Sequence, residues 1–336
     1  MSQVKAFAPD GIIVSDTENF DPILRLGKPT LIHAFKTDAH ECPTIIGDSE
    51  QTGKMAANHL LGLGFSKFAY CGLGQYYWSR GRHASFREAI VEAGFDVAYF
   101  ELHPQQVKNA LPKELLRLAK WLTSVVPAGL MACADDCSQY IVEACKIADI
   151  QIPEQIGLIG VDNDDMVCEL SDPPLSSIAL DFAKAGYDAA DLLDHLMSNQ
   201  DVRQQTITVH PSHIVTRAST DILATEDKDV AMAVQFIRQH TNKLIQISDV
   251  LSHVTCSQRT LHHKFQTELG RSVHQEIKQV RIERIAKLLR ETDLPISTIA
   301  IKLGYSNINH ISRYFQQAMG LAPLAYRKQF SPPVNG

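Results

Sequence analysis

Up to about residue 220, short apolar runs alternate with segments of helical spacing. The runs are "GIIV" (11–14), "PTLIH" (29–33), "TIIG" (44–47), "FAYCG" (68–72), "VAYFEL" (97–102), "GLMACA" (129–134) and "IGLIGVD" (156–162). Each has the length of a strand rather than a helix. Between several of them, apolar residues recur three or four apart, as at Met55, His59, Leu60 and Leu63, or at Phe86, Ile90 and Ala93. This rhythm predicts βαβ units: an α/β fold with parallel strands and helices on their faces. Ligands of such sheets sit at the carboxyl ends of the strands.

After "RASTDILATEDKD" (217–229) the strand signals stop, and 228–329 reads as helix throughout. The chain therefore divides into an α/β domain, 1–221, and an all-α domain, 222–330. Two helix–turn–helix patterns lie in the second. The first is "ISDVLSHVTCSQRTLHHKFQTELG" (247–270), and the other is "ISTIAIKLGYSNINHISRYFQQAMG" (296–320). In the latter, Ile299, Ala300 and Leu303 face inward, Gly304 makes the turn, and Ile308, Ile311 and Phe315 anchor the next helix. A helix over 272–293 joins the two patterns. Asp249, Ser257 and Ser306 stand where N-caps belong, and Gly270, Gly304 and Gly320 follow helical segments as C-cap glycines do.

Charge sharpens the division. The overall charge is −6, yet from Glu226 to Phe330 there are 15 Lys+Arg against 9 Asp+Glu, or +6, which leaves −12 on the remainder. A basic third on an acidic body is the balance of a domain that meets a polyanion. In a reading helix, exposed side chains face base edges in the major groove. The exposed candidates are Gln258, Arg259, Thr260, His262, His263 and Lys264 in the first unit. In the second they are Asn307, Asn309, His310 and Arg313. Adjacent helical residues such as His262 and His263 point about 100° apart, so no metal site is expected there. Seven scattered cysteines without CxxC read as reduced cytosolic thiols. No apolar stretch is long enough to span a bilayer and no secretory signal is evident, which implies a cytoplasmic protein.

The stretch "RIERIAKLLRETDLPISTIAIKLGYSNINHISRYFQQAMGLAPLAYRKQF" resembles the signature of AraC-type transcription regulators. Paired leucines, Ile-Ala, Gly-Tyr, Arg-x-Phe, Gly, Pro and Tyr-Arg follow in the family's order. Ile311 stands where an aromatic is usual, and Ala322 replaces a common Thr. "TIIGDSEQTGKMAANHLLGLGFSKFAYCG" (44–72), "RGRHASFREAIVEAG", "GLMACADD", "IGLIGVDND" and "LSSIALDFAKAGYDAADLL" resemble successive blocks of LacI/GalR-type, periplasmic-binding-protein-like sensors. A sensor of that type fused to an AraC-type reader is the layout of the xylose operon regulators, which this chain resembles. Set against those sensors, "PDGIIVSD" corresponds to their third strand, so the expectation is a sensor that lacks its first βαβ segment.

The loop "CGLGQYYWSRGR" (71–82) carries a Gly-x-Gly after a strand. A dinucleotide fingerprint would need a third glycine at position 77, which is Tyr77, and it would sit on the first βα unit. The resemblance implies a sugar-binding role instead. Arg82, four residues before Phe86, would grip ligand hydroxyls, and Trp78 would stack on the sugar's apolar face. Asp135, Asp136 and Asp162, with Asp48 behind them, fall at strand ends and would accept hydroxyl hydrogen bonds. Each Asp equally suits a helix N-cap, and Arg82 a surface ion pair. Leu180 stands where such sensors often place a polar residue.

The expected function is sequence-specific regulation of sugar-catabolic genes. Its partners would be double-stranded DNA, a small sugar effector, a second copy of the chain as a homodimer, and RNA polymerase. No cofactor is implied. Two alternatives stay open: a regulator with an unresponsive sensor, and an α/β enzyme. G-x-S-x-G, P-loop and metal-cluster motifs are missing from the sequence, which argues against the enzyme.

Overall fold

The computed structural model describes residues 2–16, 20–38, 42–198, 205–222, 225, 227–305 and 307–330. It separates into two units, Met1–Ile222 and Leu223–Gly336. The first begins with α1 (Ser2–Phe7), β1 (Ile12–Ser15), α2 (Asp21–Leu24), β2 (Thr30–His33) and β3 (Thr44–Gly47). It continues through α3 (Ser49–Gly62), β4 (Phe68–Gly72), α4 (Tyr77–Glu92), β5 (Val97–Glu101), α5 (Pro104–Val125) and β6 (Ala128–Ala132). Next come α6 (Asp135–Ala148), β7 (Ile156–Asp162), α7 (Asp165–Leu170), β8 (Ser176–Leu180) and α8 (Phe182–Met197). β9 (Thr206–Val209), β10 (Pro211–Val215) and a 3-10 turn over Ala218–Thr220 close the unit.

The strands form two sheets, in the orders β1-β2-β3-β9 and β10-β8-β7-β6-β4-β5. All neighbours are parallel except β10, which runs antiparallel to β8. The chain passes between the sheets at three places, and these are tied together. Asp48 N donates to Val209 O, and Asp181 N to His210 O, each at 2.9 Å. His210 Nδ1 lies 2.7 Å from Asp48 Oδ2.

The seven apolar runs are β1 to β7. Three strands, β8, β9 and β10, carried no clear signal, because "SSIAL", "TITV" and "PSHIV" are rich in Ser, Thr and Pro. Ser176 and Ser177 are buried in β8, and hydrogen bonds satisfy their hydroxyls: Thr220 Oγ1 donates to Ser176 Oγ at 2.6 Å, and Ser177 Oγ donates to Asp135 Oδ1 at 2.7 Å. A strand can therefore be buried without a β-branched run when each polar group finds a partner.

The buried face of α3 is Thr52, Gly53, Ala56, Ala57 and Leu60, not the Met55 and His59 stripe the spacing suggested. Small residues win because α3 crosses α4 closely. A Cβ on Gly53 would meet Ser85 Oγ at 2.1 Å and the carbonyl oxygen of Arg82 at 2.5 Å. Gly53→Ala must push the two helices apart. We expect a loss of about 1–3 kcal/mol in sensor stability, read from the urea midpoint. On α4, Phe86 and Ile90 are buried as expected, whereas Ala93 is exposed.

The second unit comprises α9 (Lys228–Gln239), α10 (Ile247–Leu251), α11 (Gln258–Leu269), α12 (Val273–Glu291), α13 (Ile296–Lys302), α14 (Ile308–Met319) and α15 (Pro323–Phe330). It has two apolar cores. Val230, Ile237, Val250, Leu261, Phe265 and Ile277 belong to one; Ile285, Leu289, Ile299, Leu303, Ile311 and Phe315 belong to the other. α12 supplies residues to both. Buried Arg281 on α12 fastens the halves: it donates to Lys243 O and, at 3.0 Å, to Leu303 O, and stacks 4.6 Å over the Tyr305 ring.

Several end signals differ from expectation. Gln246, not Asp249, caps α10; Asp249 is its N3 partner and accepts from Gln246 N at 2.7 Å. Ser257 caps α11 as expected. Asn307 caps α14, and Ser306 lies outside the described residues. Ile308, expected as an anchor, is 42% exposed, and Ile311 and Phe315 are the residues α14 buries among those described. Gly304 has φ +76°, which lets the chain reverse between α13 and α14. Among the described residues no helix is long and apolar enough to cross a membrane.

Candidate functional site

α4 begins at Tyr77, directly after the "LGQY" turn, and its 3.6-residue period sets Trp78 and Arg82 one above the other. Arg82 is only 6% exposed. Its Nη1 donates to Cys133 O, its Nη2 stands 3.7 Å from Asp162 Oδ1, and its Cζ lies 5.0 Å over the Trp78 ring. Tyr76 stacks on Trp78 with centroids 5.6 Å apart, and Phe35, just after β2, meets both rings at 4.7 and 5.7 Å. Buried Asp16 holds the loop that carries Phe35, accepting from the backbone N of Phe35, Lys36 and Thr37 at 2.6, 2.8 and 3.1 Å. One sheet thus supplies Asp16 and Phe35, and the other supplies Arg82, Cys133 and Asp162.

Three polar atoms here, Arg82 Nε, Trp78 Nε1 and Ser15 Oγ, are buried with no partner among the described residues. An unmet buried polar group costs about 1–3 kcal/mol, so a protein keeps one where something else satisfies it.

Asp162 ends β7 with φ +105°, and Asn163 follows with φ +52°. Non-glycine residues in that region are strained, a state that recurs at functional sites. The turn is over-determined. Asn163 N donates to Ser177 Oγ at 3.0 Å, Arg217 Nη1 donates to Asn163 Oδ1 at 2.9 Å, and Asp164 N donates to Asp135 Oδ2 at 2.9 Å. Burial raises the Asp162 carboxyl to about 6, although Arg82 pulls it down.

Two of the expected ligand groups already have partners within the protein. Asp135 is 2% exposed and both its oxygens are taken, Oδ1 by Ser177 Oγ and Oδ2 by Asp164 N and the Cys168 thiol at 3.3 Å. Its carboxylate thus braces β8 against the turn that follows β7. Asp48 is the N-cap of α3, accepting from Gln51 N at 2.9 Å, and its other oxygen holds His210. Asp136 is exposed in the first turn of α6, where its charge suits the helix N-terminus, and it adds to the upward push on Asp162. Leu180 ends β8 half-buried. The aromatic wall of Phe35 and Tyr76 went unread, since an aromatic just past a strand looks like ordinary core. The cue would have been its place at a carboxyl end.

In the second unit, α11 buries Leu261, Phe265 and Leu269, which leaves Gln258, Arg259, Thr260, His262 and His263 exposed. The Thr260 hydroxyl lies 2.9 Å from Ser257 Oγ. Lys264 does not face outward. Its Nζ pairs with Asp227 at 2.8 Å and Asp229 at 2.7 Å, and these two carboxylates raise its pKa. On α14, Asn309, His310 and Arg313 are exposed, while Asn307 spends its side-chain oxygen on Asn309 N at 2.7 Å. No cluster of metal-ligating side chains occurs among the described residues.

Comparison with known proteins fits this geometry. Residues 57–220 match the periplasmic binding protein-like domain, and residues 251–329 match a helix-turn-helix domain. The chain is 30% identical to the xylose operon regulatory protein of Haemophilus influenzae over 289 residues, 85% of this chain and 74% of that protein. It is 32% identical to the Escherichia coli K12 protein of the same name over 276 residues, covering 80% and 69%. The chain belongs to the family of the xylose operon regulatory proteins. A solved structure described as a xylose-binding transcription activator superposes with a TM-score of 0.59 at 28% identity, covering 96% of this chain and 87% of that one. A LacI-family regulator from Enterococcus faecium with bound ribose shares the sensor fold, with a TM-score of 0.55 at 19% identity. The chain is a DNA-binding, sugar-responsive transcription regulator.

Proposed function

We propose that the sensor binds a pentose of the xylose type between its two sheets, and that α11 and α14 read an operator. The sugar's apolar face would lie on Trp78, with Arg82 donating to its hydroxyls and Asp162 accepting from them. The observation that carries this reading is the buried, unpartnered Arg82 Nε and Trp78 Nε1 beside the strained Asp162. A polyol needs both donors and acceptors once desolvated, and an aromatic plane for its C–H face. The relatives' names, and a neighbour described as xylose-binding, support a pentose over other sugars. Assembly as a homodimer and contact with RNA polymerase complete the proposal.

Melting of the purified chain against D-xylose, D-ribose, L-arabinose and D-glucose is the test. A rise in Tm with a pentose is the expected result; no rise with any sugar would leave a DNA-binding protein with an unresponsive sensor. The response should depend on pH through Asp162. Between pH 7 and 8 the carboxylate is ionised and pentose affinity should be flat. Below pH 6 it should fall, approaching tenfold per pH unit as the acceptor is protonated. The stability effect has the opposite sign. A carboxyl raised to about 6 binds its proton more tightly in the folded chain than in the unfolded one. Its contribution to stability therefore grows as pH falls from about 6 toward its ordinary value.

A further inference from the structure

The last residues of the sensor and the first residues of the reading domain are each fastened to a working part of their own unit. At the sensor's exit, the Arg217 side chain is 9% exposed and grips the β7–α7 turn. It donates to Asn163 Oδ1 and Leu175 O at 2.9 Å and to Glu169 Oε1 at 2.6 Å, with Asp165 3.7 Å away. Its own backbone N and O bracket Ser176 Oγ at 2.8 and 3.0 Å. Buried Ser219 and Thr220 follow: Ser219 Oγ donates to Leu158 O at 2.6 Å, and Thr220 Oγ1 donates to Ser176 Oγ. A shift of the Asp162–Asn163 turn therefore moves Arg217 and the chain directly behind it.

At the entry to the second unit, Thr225 Oγ1 donates to Glu268 Oε2 at 2.8 Å, and Asp227 N donates back to Thr225 Oγ1 at 3.2 Å. Lys264, one turn before Glu268 on α11, donates to Asp227 and Asp229. Asp229 also accepts from Thr255 N and Oγ1 at 2.9 and 2.8 Å, in the turn ahead of α11. Thr225, Asp227 and Asp229 thus hold recognition helix α11 at two levels, while no described hydrogen bond or ion pair joins them to α14. Charge-assisted bonds of this kind fix position more than they add stability.

We propose that Arg217, at the end of the first unit, and Lys264, bonded to the start of the second, are positioning residues that pass effector occupancy at Asp162–Asn163 to α11. This rests on the sugar-binding reading of that turn. Coupling is then a property of these two anchors and not of either binding surface.

The test uses the full chain, a mapped operator and D-xylose as probe. Three variants are compared with the parent: Lys264→Gln, Arg217→Gln, and an insertion of Gly-Ser-Gly-Ser after Asp221. D-xylose should change the parent's operator affinity about tenfold or more. In Lys264→Gln and the insertion variant that change should fall below about twofold. D-xylose affinity and sugar-free operator affinity should stay within about threefold of the parent. Should Arg217→Gln fail to fold, the other two still decide the matter, since neither touches the sensor's core. A full response in both, or a parallel loss of sugar-free operator binding that marks a merely structural role, overturns the relay. So does a parent that binds D-xylose without any change in operator affinity. A parent that binds no D-xylose overturns the sugar-binding reading beneath the relay, and the relay with it.

Discussion

Arg82→Ala should weaken pentose binding by about 100-fold or more and leave operator binding by the sugar-free chain unchanged. The guanidinium is held by Cys133 O, Asp162 and the Trp78 face, so it meets a ligand without reorganising. A hydrogen bond to a charged group contributes about 1.5–3 kcal/mol, and each 1.4 kcal/mol is tenfold in affinity. Two such bonds lost exceed 100-fold. Removing the cation also leaves the half-buried Asp162 carboxyl without its counter-charge, which pushes it further up from about 6. Residual binding should then decline from a higher pH than in the parent. Titration calorimetry at pH 6, 7 and 8 reads both effects. Pentose affinity within threefold of the parent would mean that Arg82 is only a brace between α4 and β6.

The second large effect belongs to the reading helices. Arg259→Ala and Arg313→Ala should each reduce operator affinity by about 1–3 kcal/mol, or roughly 5- to 150-fold, with specificity relaxed at one base pair each. The two residues sit on separate helix–turn–helix units with separate cores and share no described partner. The double variant should therefore lose close to the sum. Mobility-shift titration on matched and single-base-changed operators, at one fixed salt concentration, distinguishes base reading from phosphate contact. Equal loss on every sequence would assign these arginines to the backbone instead.

Much of the fold was legible because its signals are local. Seven strands announced themselves as apolar runs, and the glycines at 270, 304 and 320 marked helix ends with φ between +63° and +76°. The site was harder to read, because the same residue type serves two roles. Four carboxylates at or near strand ends look alike in sequence, Asp48, Asp135, Asp136 and Asp162, and Asp16, which drew no expectation, makes a fifth. Only three-dimensional partners separate them. Asp135 is filled by Ser177 and Asp164, Asp48 by a helix end and His210, and Asp16 by three backbone amides. Asp162 faces Arg82 on a strained turn. Lys264 misled for a related reason. Its position on α11 fits a reading residue, and its partners Asp227 and Asp229 lie 37 and 35 residues away in sequence. Helical period fixes a side chain's direction, but not which distant carboxylate meets it there.

The shared helix α12 has a consequence for the DNA itself. With 19 residues at about 1.5 Å each, it is a strut of roughly 28 Å carrying two unlike readers at its two ends. α11 presents Gln258, Arg259, Thr260, His262 and His263 where α14 presents Asn309, His310 and Arg313, so on the proposed reading the two half-sites would differ as well. A site read in this way by one protomer would be no palindrome; it would have a front and a back. One protomer on such a site knows which way it points along the promoter. Reversing the operator without changing its position would turn the whole regulator round, at undiminished affinity, to face away from the gene it controls.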